Sequence, residues 1–222
     1  MSLHEEIDKF KEQWDCYLER IEKPNSCIFC HGDRLYWNGY RERSASVLIG
    51  DAVVYLTDIL CKRIKCAEPE CRRSWTLRPA GLMPKRHYQL CVVAHGVIEF
   101  LTDPHETLTS VGKAHCCSRR TIGRWLHWVA GIAKPSNLLS RLYHISKKAA
   151  LSSLCKVDEI FKKTPNKITF LGTAKNFCFL EALGMTYGYG TQQGFRGMIE
   201  TAIANRDRIT TYCYPFIPEL AR

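Results

Sequence analysis

No apolar run in the chain approaches the roughly 20 residues a membrane helix needs. The first ten residues, MSLHEEIDKF, are polar and charged, unlike a secretory leader. Together these lacks predict a soluble, cytoplasmic protein with no membrane partner. Internal repeats and extended low-complexity tracts are also missing, which excludes solenoid and array architectures. Carboxylates are scarce late in the chain. After residue 140 the only acids are Asp158, Glu159, Glu181, Glu200, Asp207 and Glu219. A transposase or nuclease core needs three carboxylates holding two metal ions, and none of these six sits in a strand context suited to that. The expectation is therefore a protein without catalytic residues. The glycine- and aromatic-rich stretch at 184–197 matches neither a phosphate-binding loop nor a dinucleotide fingerprint. It reads as a loop between helices, and the tail at 212–218 as a packing strand.

What the chain has in excess is positive charge and cysteine. The formal net charge is +10, unevenly spread. Residues 1–25 hold 4 basic and 7 acidic groups, residues 26–140 hold 16 and 9, and residues 141–222 hold 12 and 6. An acidic lead on a basic body suits a polyanionic partner, most often nucleic acid. There are 12 cysteines. In a chain with no leader, metal binding explains such a count better than disulfides do.

The pattern divides the chain into four parts and predicts an α+β fold, mostly α. Residues 1–24 form an amphipathic helix, because Leu3, Ile7, Phe10, Trp14, Tyr17 and Ile21 recur at heptad spacing. That seam serves either packing on its own domain or pairing with a second copy as a homodimer. Residues 25–84 carry cysteine pairs, aromatics and β-branched runs such as 46–49 and 53–56, and read as short antiparallel strands of a zinc ribbon. Residues 85–134 hold a buried helix at 87–101, broken by Thr102-Asp103-Pro104, and two further helices. Residues 135–222 are helical to about 163 and mixed beyond.

The strongest motif is Cys27-Ile-Phe-Cys30 paired with Cys66-Ala-Glu-Pro-Glu-Cys71. Two cysteines separated by two to four residues bend around one ion from a tight turn, and two such turns complete a tetrahedral site. The spacing predicts one structural Zn2+ on Cys27, Cys30, Cys66 and Cys71. Four sulfurs leave no open position for water, so the ion would supply folding energy rather than chemistry. His31 beside the first pair and Cys61 before the second remain alternative ligands.

Residues 108–128, LTSVGKAHCCSRRTIGRWLHW, fit a helix-turn-helix by position. Val111, Ile122 and Trp125 face the core, Gly112 lies where the helices cross, Cys117 fills an apolar slot, and Ser118 caps the second helix. That helix would project Arg119, Arg120, Thr121 and Arg124 outward, with Lys113 and Ser118 beside them as further DNA contacts. Arginine reads guanine bidentately and also clamps phosphate. Two positions depart from the common pattern. Cys116 stands where glycine is usual, so it must take φ > 0 or a different turn, and His115 replaces an aliphatic residue.

With Gly39-Tyr40-Arg41, the basic run Lys62-Arg63-Ile64-Lys65 before Cys66, Trp75 and Leu77-Arg78-Pro79, residues 22–130 resemble bacterial mobile-element proteins. They are similar to the N-terminal DNA-binding region of insertion-sequence transposases, and most of all to a zinc-ribbon and helix-turn-helix family carried beside transposition genes. Leu77-Arg78-Pro79 departs from the family's Leu-Pro pair. The resemblance implies binding of double-stranded DNA at transposon ends or target sites, in the bacterial nucleoid. It also implies transposition proteins, a transposase or an ATPase, as partners. A stand-alone transcriptional regulator and a nuclease with an unrecognised active site are the alternatives.

Overall fold

A computed structural model of the chain describes residues 2–49, 52–77, 82 and 87–186. The tail at 212–218 and all of the 184–197 stretch from residue 187 on lie outside the described residues, as do Arg78, Pro79, Gly81 and Pro84. Those described form a mixed α+β fold, mostly helical, in two compact units that divide between Gln89 and Leu90. No described helix is long and apolar enough to cross a membrane.

The first unit is one helix on a hairpin. Helix α1 (Leu3–Arg20) opens with a capping box, in which the Ser2 hydroxyl accepts from the Glu5 amide and the Glu5 carboxylate accepts from the Ser2 amide. Strands β1 (Leu35–Ile49) and β2 (Ala52–Cys66) pair antiparallel, and β3 (Ser74–Thr76) adds to β2. The runs read as separate short strands are the two sides of the hairpin turn, with Val47 opposite Val54 and Leu48 opposite Val53. From there the ladder continues to Leu35 opposite Cys66, with irregularities between Trp37 and Tyr40 and between Arg43 and Ala45. Gly39 sits at the first of these with φ 71. A Cβ there would meet nothing within 4 Å, so the backbone angle, not space, is what calls for glycine.

The heptad seam of α1 packs on this hairpin. Trp14 and Leu18 are buried with Val47, Leu56, Ile59 and Cys61, and Ile7, Phe10 and Tyr17 flank them. The Trp14 indole N–H donates to the Leu60 carbonyl at 2.6 Å. Lys11 pairs with Asp58 at 2.9 Å across the same contact. A second apolar cluster, with Ile21, Leu35, Ile64 and Leu77, surrounds Cys27 and Cys66 at the other end of the sheet.

The second unit is helical. It runs α2 (Leu90–Thr102), α3 (Leu108–Ala114), α4 (Arg119–Ala130), α5 (Pro135–Ile145), α6 (Lys147–Lys163), a 3-10 helix (Pro165–Phe170) and α7 (Leu171–Thr186). Ser146 separates α5 from α6, serving as the C-cap of one and the N-cap of the other, where its hydroxyl accepts from the Ala149 amide at 3.2 Å. Helix α7 buries Ala174, Phe177, Cys178, Phe179, Leu180 and Leu183. It also terminates α4. The Thr173 hydroxyl donates to Leu126 O at 3.1 Å, and the Asn176 amide donates to Val129 O, Ala130 O and Ala133 O at 2.9–3.0 Å. A helix leaves its last four carbonyls without intrahelical partners, and here a side chain from a distant helix supplies two of them, Val129 and Ala130. Helix α2 ends in the same manner: the buried Lys167 ammonium donates to Phe100 O and Asp103 O, and the Thr164 hydroxyl to Leu101 O.

Candidate metal centre and helical face

Two tight turns bring four thiols together. After Cys27-x-x-Cys30 the chain turns at His31 (φ 61), with the His31 amide donating to Cys27 O and the Cys27 amide to Gly32 O. After Cys71 it turns at Arg72 (φ 47), with the Cys71 and Arg72 amides both donating to Glu68 O. Each pair's first sulfur accepts an N–H from two residues on, Phe29 to Cys27 Sγ and Glu68 to Cys66 Sγ, both at 3.4 Å. A bidentate Arg34–Glu68 pair, at 2.9 and 2.5 Å, ties the two turns to each other.

The sulfurs of Cys27, Cys30, Cys66 and Cys71 lie within 4.8 Å of one another. Cys27 Sγ is 3.8 Å from Cys71 Sγ, and Cys30 Sγ is 3.7 Å from Cys66 Sγ. Four sulfurs at about 2.3 Å from a tetrahedral centre would be about 3.8 Å apart. The cluster is thus positioned to hold a metal ion. Burial pushes the Cys66 thiol up to about 12. Burial also raises Cys27, but the Phe29 and Cys30 amides more than offset it and hold that thiol below its ordinary value. Four thiolates this close repel one another, and a cation at their centre removes both penalties.

Neither alternative ligand joins the cluster. Cys61 is buried in the other apolar cluster of the sheet, and the His31 side chain is exposed beyond the turn. Beside the cluster Trp75 meets Phe29 edge-on at 5.9 Å, and the Arg73 guanidinium lies over the Phe29 ring at 5.1 Å.

In the second unit, α3 and α4 are joined through residues 115–118. Cys116 takes φ 51, so the cysteine does adopt the left-handed conformation normally left to glycine. Gly112 is required for space. A Cβ there would lie 2.9 Å from Cys117 O and 3.1 Å from Arg119 N, both backbone atoms. Val111, Ile122 and Trp125 are buried between the helices, and Cys117 is partly buried, its thiol pushed by burial up to about 11. The Ser118 hydroxyl caps α4, accepting from the Thr121 amide at 3.2 Å. Lys113, Ser118, Arg119, Arg120 and Arg124 are exposed, and Thr121 is partly so. His115 is buried, its Nδ1 bonded to Val111 O and its Nε2 turned to His95 and Glu99. Burial lowers its pKa, which favours the neutral ring. Of the late acids, Asp158 and Glu159 are exposed on α6, and Glu181 pairs with Lys156 at 2.5 Å.

Sequence reasoning missed two groups. One is the His95–Glu99–His115 cluster, whose members lie on two elements 20 residues apart with no spacing signature. The other is a pair of cation–aromatic contacts on the hairpin, Lys62 over Trp37 at 4.9 Å and Lys65 over Tyr36 at 5.9 Å. The register accounts for the second, because Tyr36 stands opposite Lys65; Lys62 stands opposite Tyr40 and reaches Trp37 diagonally. No family model, curated protein or solved structure matches the chain.

Proposed function

We propose that the protein binds double-stranded DNA through α4, with the cysteine cluster holding one structural Zn2+. The observation that carries the reading is the α3–turn–α4 pair. Its inner face is buried, and α4 opens on a capped N-terminus with Arg119, Arg120 and Arg124 exposed. Arg120 and Arg124, four residues apart, share one face, and Arg119 stands beside Arg120 in the first turn. The N-terminal turn enters the major groove, where Arg119, Arg120 and Thr121 reach base edges. Arg124, one turn later, meets phosphate together with Lys113 and Ser118. The protein has no chemistry of its own in this reading, and acts as the DNA-recognition component of a mobile element alongside a transposase or ATPase. Zinc suits the four-thiolate set and its tetrahedral spacing, and all four positions are filled by protein. Lys62 and Lys65, each against an aromatic ring of β1, add basic groups on the hairpin.

The test is selection of bound sequences from random DNA, followed by binding to the selected and scrambled duplexes across a salt series. Arg120→Ala is expected to weaken the selected site by about 1–3 kcal/mol and to relax one base preference. Arg124→Ala is expected to weaken both duplexes alike and to reduce the salt slope by about one. If both variants bind as the parent does, α4 is not the reading helix.

A further inference from the structure

The turn that aims α4 rests on a cluster with the makings of a second metal site. His95 and Glu99 stand four residues apart on α2 and face the same side. His115, the C-cap residue of α3, meets them from the neighbouring element. His95 Nδ1 is 3.1 Å from His115 Nε2, which is 3.6 Å from Glu99 Oε2, and His95 Nδ1 is 3.7 Å from the same carboxylate oxygen. Metal–nitrogen and metal–oxygen bonds of about 2.0–2.2 Å place neighbouring donor atoms about 2.8–3.6 Å apart in octahedral to tetrahedral shells. The trio already has nearly that spacing.

The hydrogen bonds fix the chemistry of the donors. His115 Nδ1 lies 3.0 Å from Val111 O, so in the neutral ring Nδ1 carries the proton and Nε2 presents its lone pair. This outer bond is the usual way a histidine ligand is oriented. His115 Nε2 and the Glu99 carboxylate are then two acceptors facing each other across 3.6 Å, with the His95 N–H as the donor between them. A divalent cation satisfies all three. The His95 proton moves to its other nitrogen, that ring being exposed, and its Nδ1 lone pair becomes the third ligand.

We infer that His95, Glu99 and His115 form a binding site for a divalent first-row transition metal such as Zn2+, Ni2+ or Co2+, distinct from the four-cysteine centre. The donor set is two imidazoles and a carboxylate, which suits these ions and leaves coordination positions open. The ion joins α2 to the turn at Cys116 and so stiffens the base of α4. The site does not depend on the DNA reading. It belongs to the helical unit, whereas the cysteines belong to the other.

The full-length protein, freed of metal under reducing conditions, is dialysed to equilibrium against micromolar Co2+ alone. The expected uptake is two ions per chain, one with thiolate-to-cobalt charge-transfer absorption and one with only weak ligand-field bands. His95→Ala and Glu99→Gln, at positions that are not fully buried, should each retain the thiolate-bound ion and lose the other. Cys30→Ser should do the reverse. Unfolding of the helical unit should be delayed by Co2+ in the parent and not in Glu99→Gln. One thiolate-bound ion in the parent, or two ions persisting in His95→Ala, overturns the proposal. One ion that lacks the charge-transfer band and disappears in His95→Ala upholds it, and sinks the cysteine centre instead.

Discussion

The two units reach order by different means. In the first, cysteines and a long ladder of backbone hydrogen bonds organise a hairpin that is largely exposed on both faces from Tyr36 to Glu42. In the second there is no sheet among the described residues, apolar faces of helices pack on one another, and even the helix ends are closed by side chains from elsewhere in the chain. The polar stretch of the hairpin lies between two apolar clusters, one under α1 and one around Cys27 and Cys66. A region built by burial must be apolar where its elements meet, and its surface is then free to carry charge such as the arginines of α4.

Removing the metal is the sharpest way to separate the units. Structural zinc contributes about 10–16 kcal/mol of apparent binding energy in small zinc domains at neutral pH. Chelation, or Cys27→Ser, should therefore abolish protection of the Cys27–Leu35 and Ile64–Leu77 regions while leaving the helical unit folded. Amide hydrogen exchange with and without chelator reads this directly. Uniform loss of protection in both units would end the contrast.

The pH dependence should also differ between them. Protons would compete with a metal ion for the four thiolates, so the first unit should fail as pH falls. In the second, burial pushes the Cys178 thiol up from an ordinary value of 9.0 to about 11. A folded-state pKa raised in this way gives stability that is complete below the unfolded value and is lost as pH rises through the folded one. The helical unit should weaken between about pH 9 and 11, and Cys178→Ala should flatten that slope. Circular dichroism melts of the metal-loaded protein across the two pH ranges check it.

How legible each region is in the sequence follows from the same contrast. The cysteine cluster is readable because ligand spacing is a local rule, and Cys27, Cys30, Cys66 and Cys71 satisfy it. The length of the hairpin is not. Residues 36–44 are polar on both sides, so no alternation marks them as strand, and only the apolar turn end at 46–49 and 53–56 stood out. Around α4 the reading rested on single positions, Gly112, Ser118 and Ile122, each with its own physical reason. Helix α7 lacks a polar stripe because it is buried on more than one face, and periodicity needs a stripe to detect. His95 and His115 come together only through tertiary packing.

Smaller changes sharpen the comparison within the helical unit. Asn176→Ala removes the donor shared by the carbonyls of Val129, Ala130 and Ala133, of which Val129 O keeps the Ile132 amide, at a cost of about 1–3 kcal/mol. Denaturant unfolding should register that loss with metal content unchanged. Cys116→Gly should have the smallest effect and the opposite sign. It relieves a left-handed residue and should stabilise the unit by about 1 kcal/mol. A destabilised Cys116→Gly variant would mean that the thiol contributes more than its backbone strain takes away.

The closure of α4 by Thr173 and Asn176 also has a consequence for synthesis. The acceptors lie at 126–133 and the donors 43–47 residues later. At about 5–20 residues per second, the arginine-bearing helix leaves the ribosome roughly 2–10 s before the residues that finish it. The hairpin unit has all four cysteines of its cluster well before that, by residue 71. The nascent chain thus carries the whole cluster early, and a fixed α4 only after most of its length has been made.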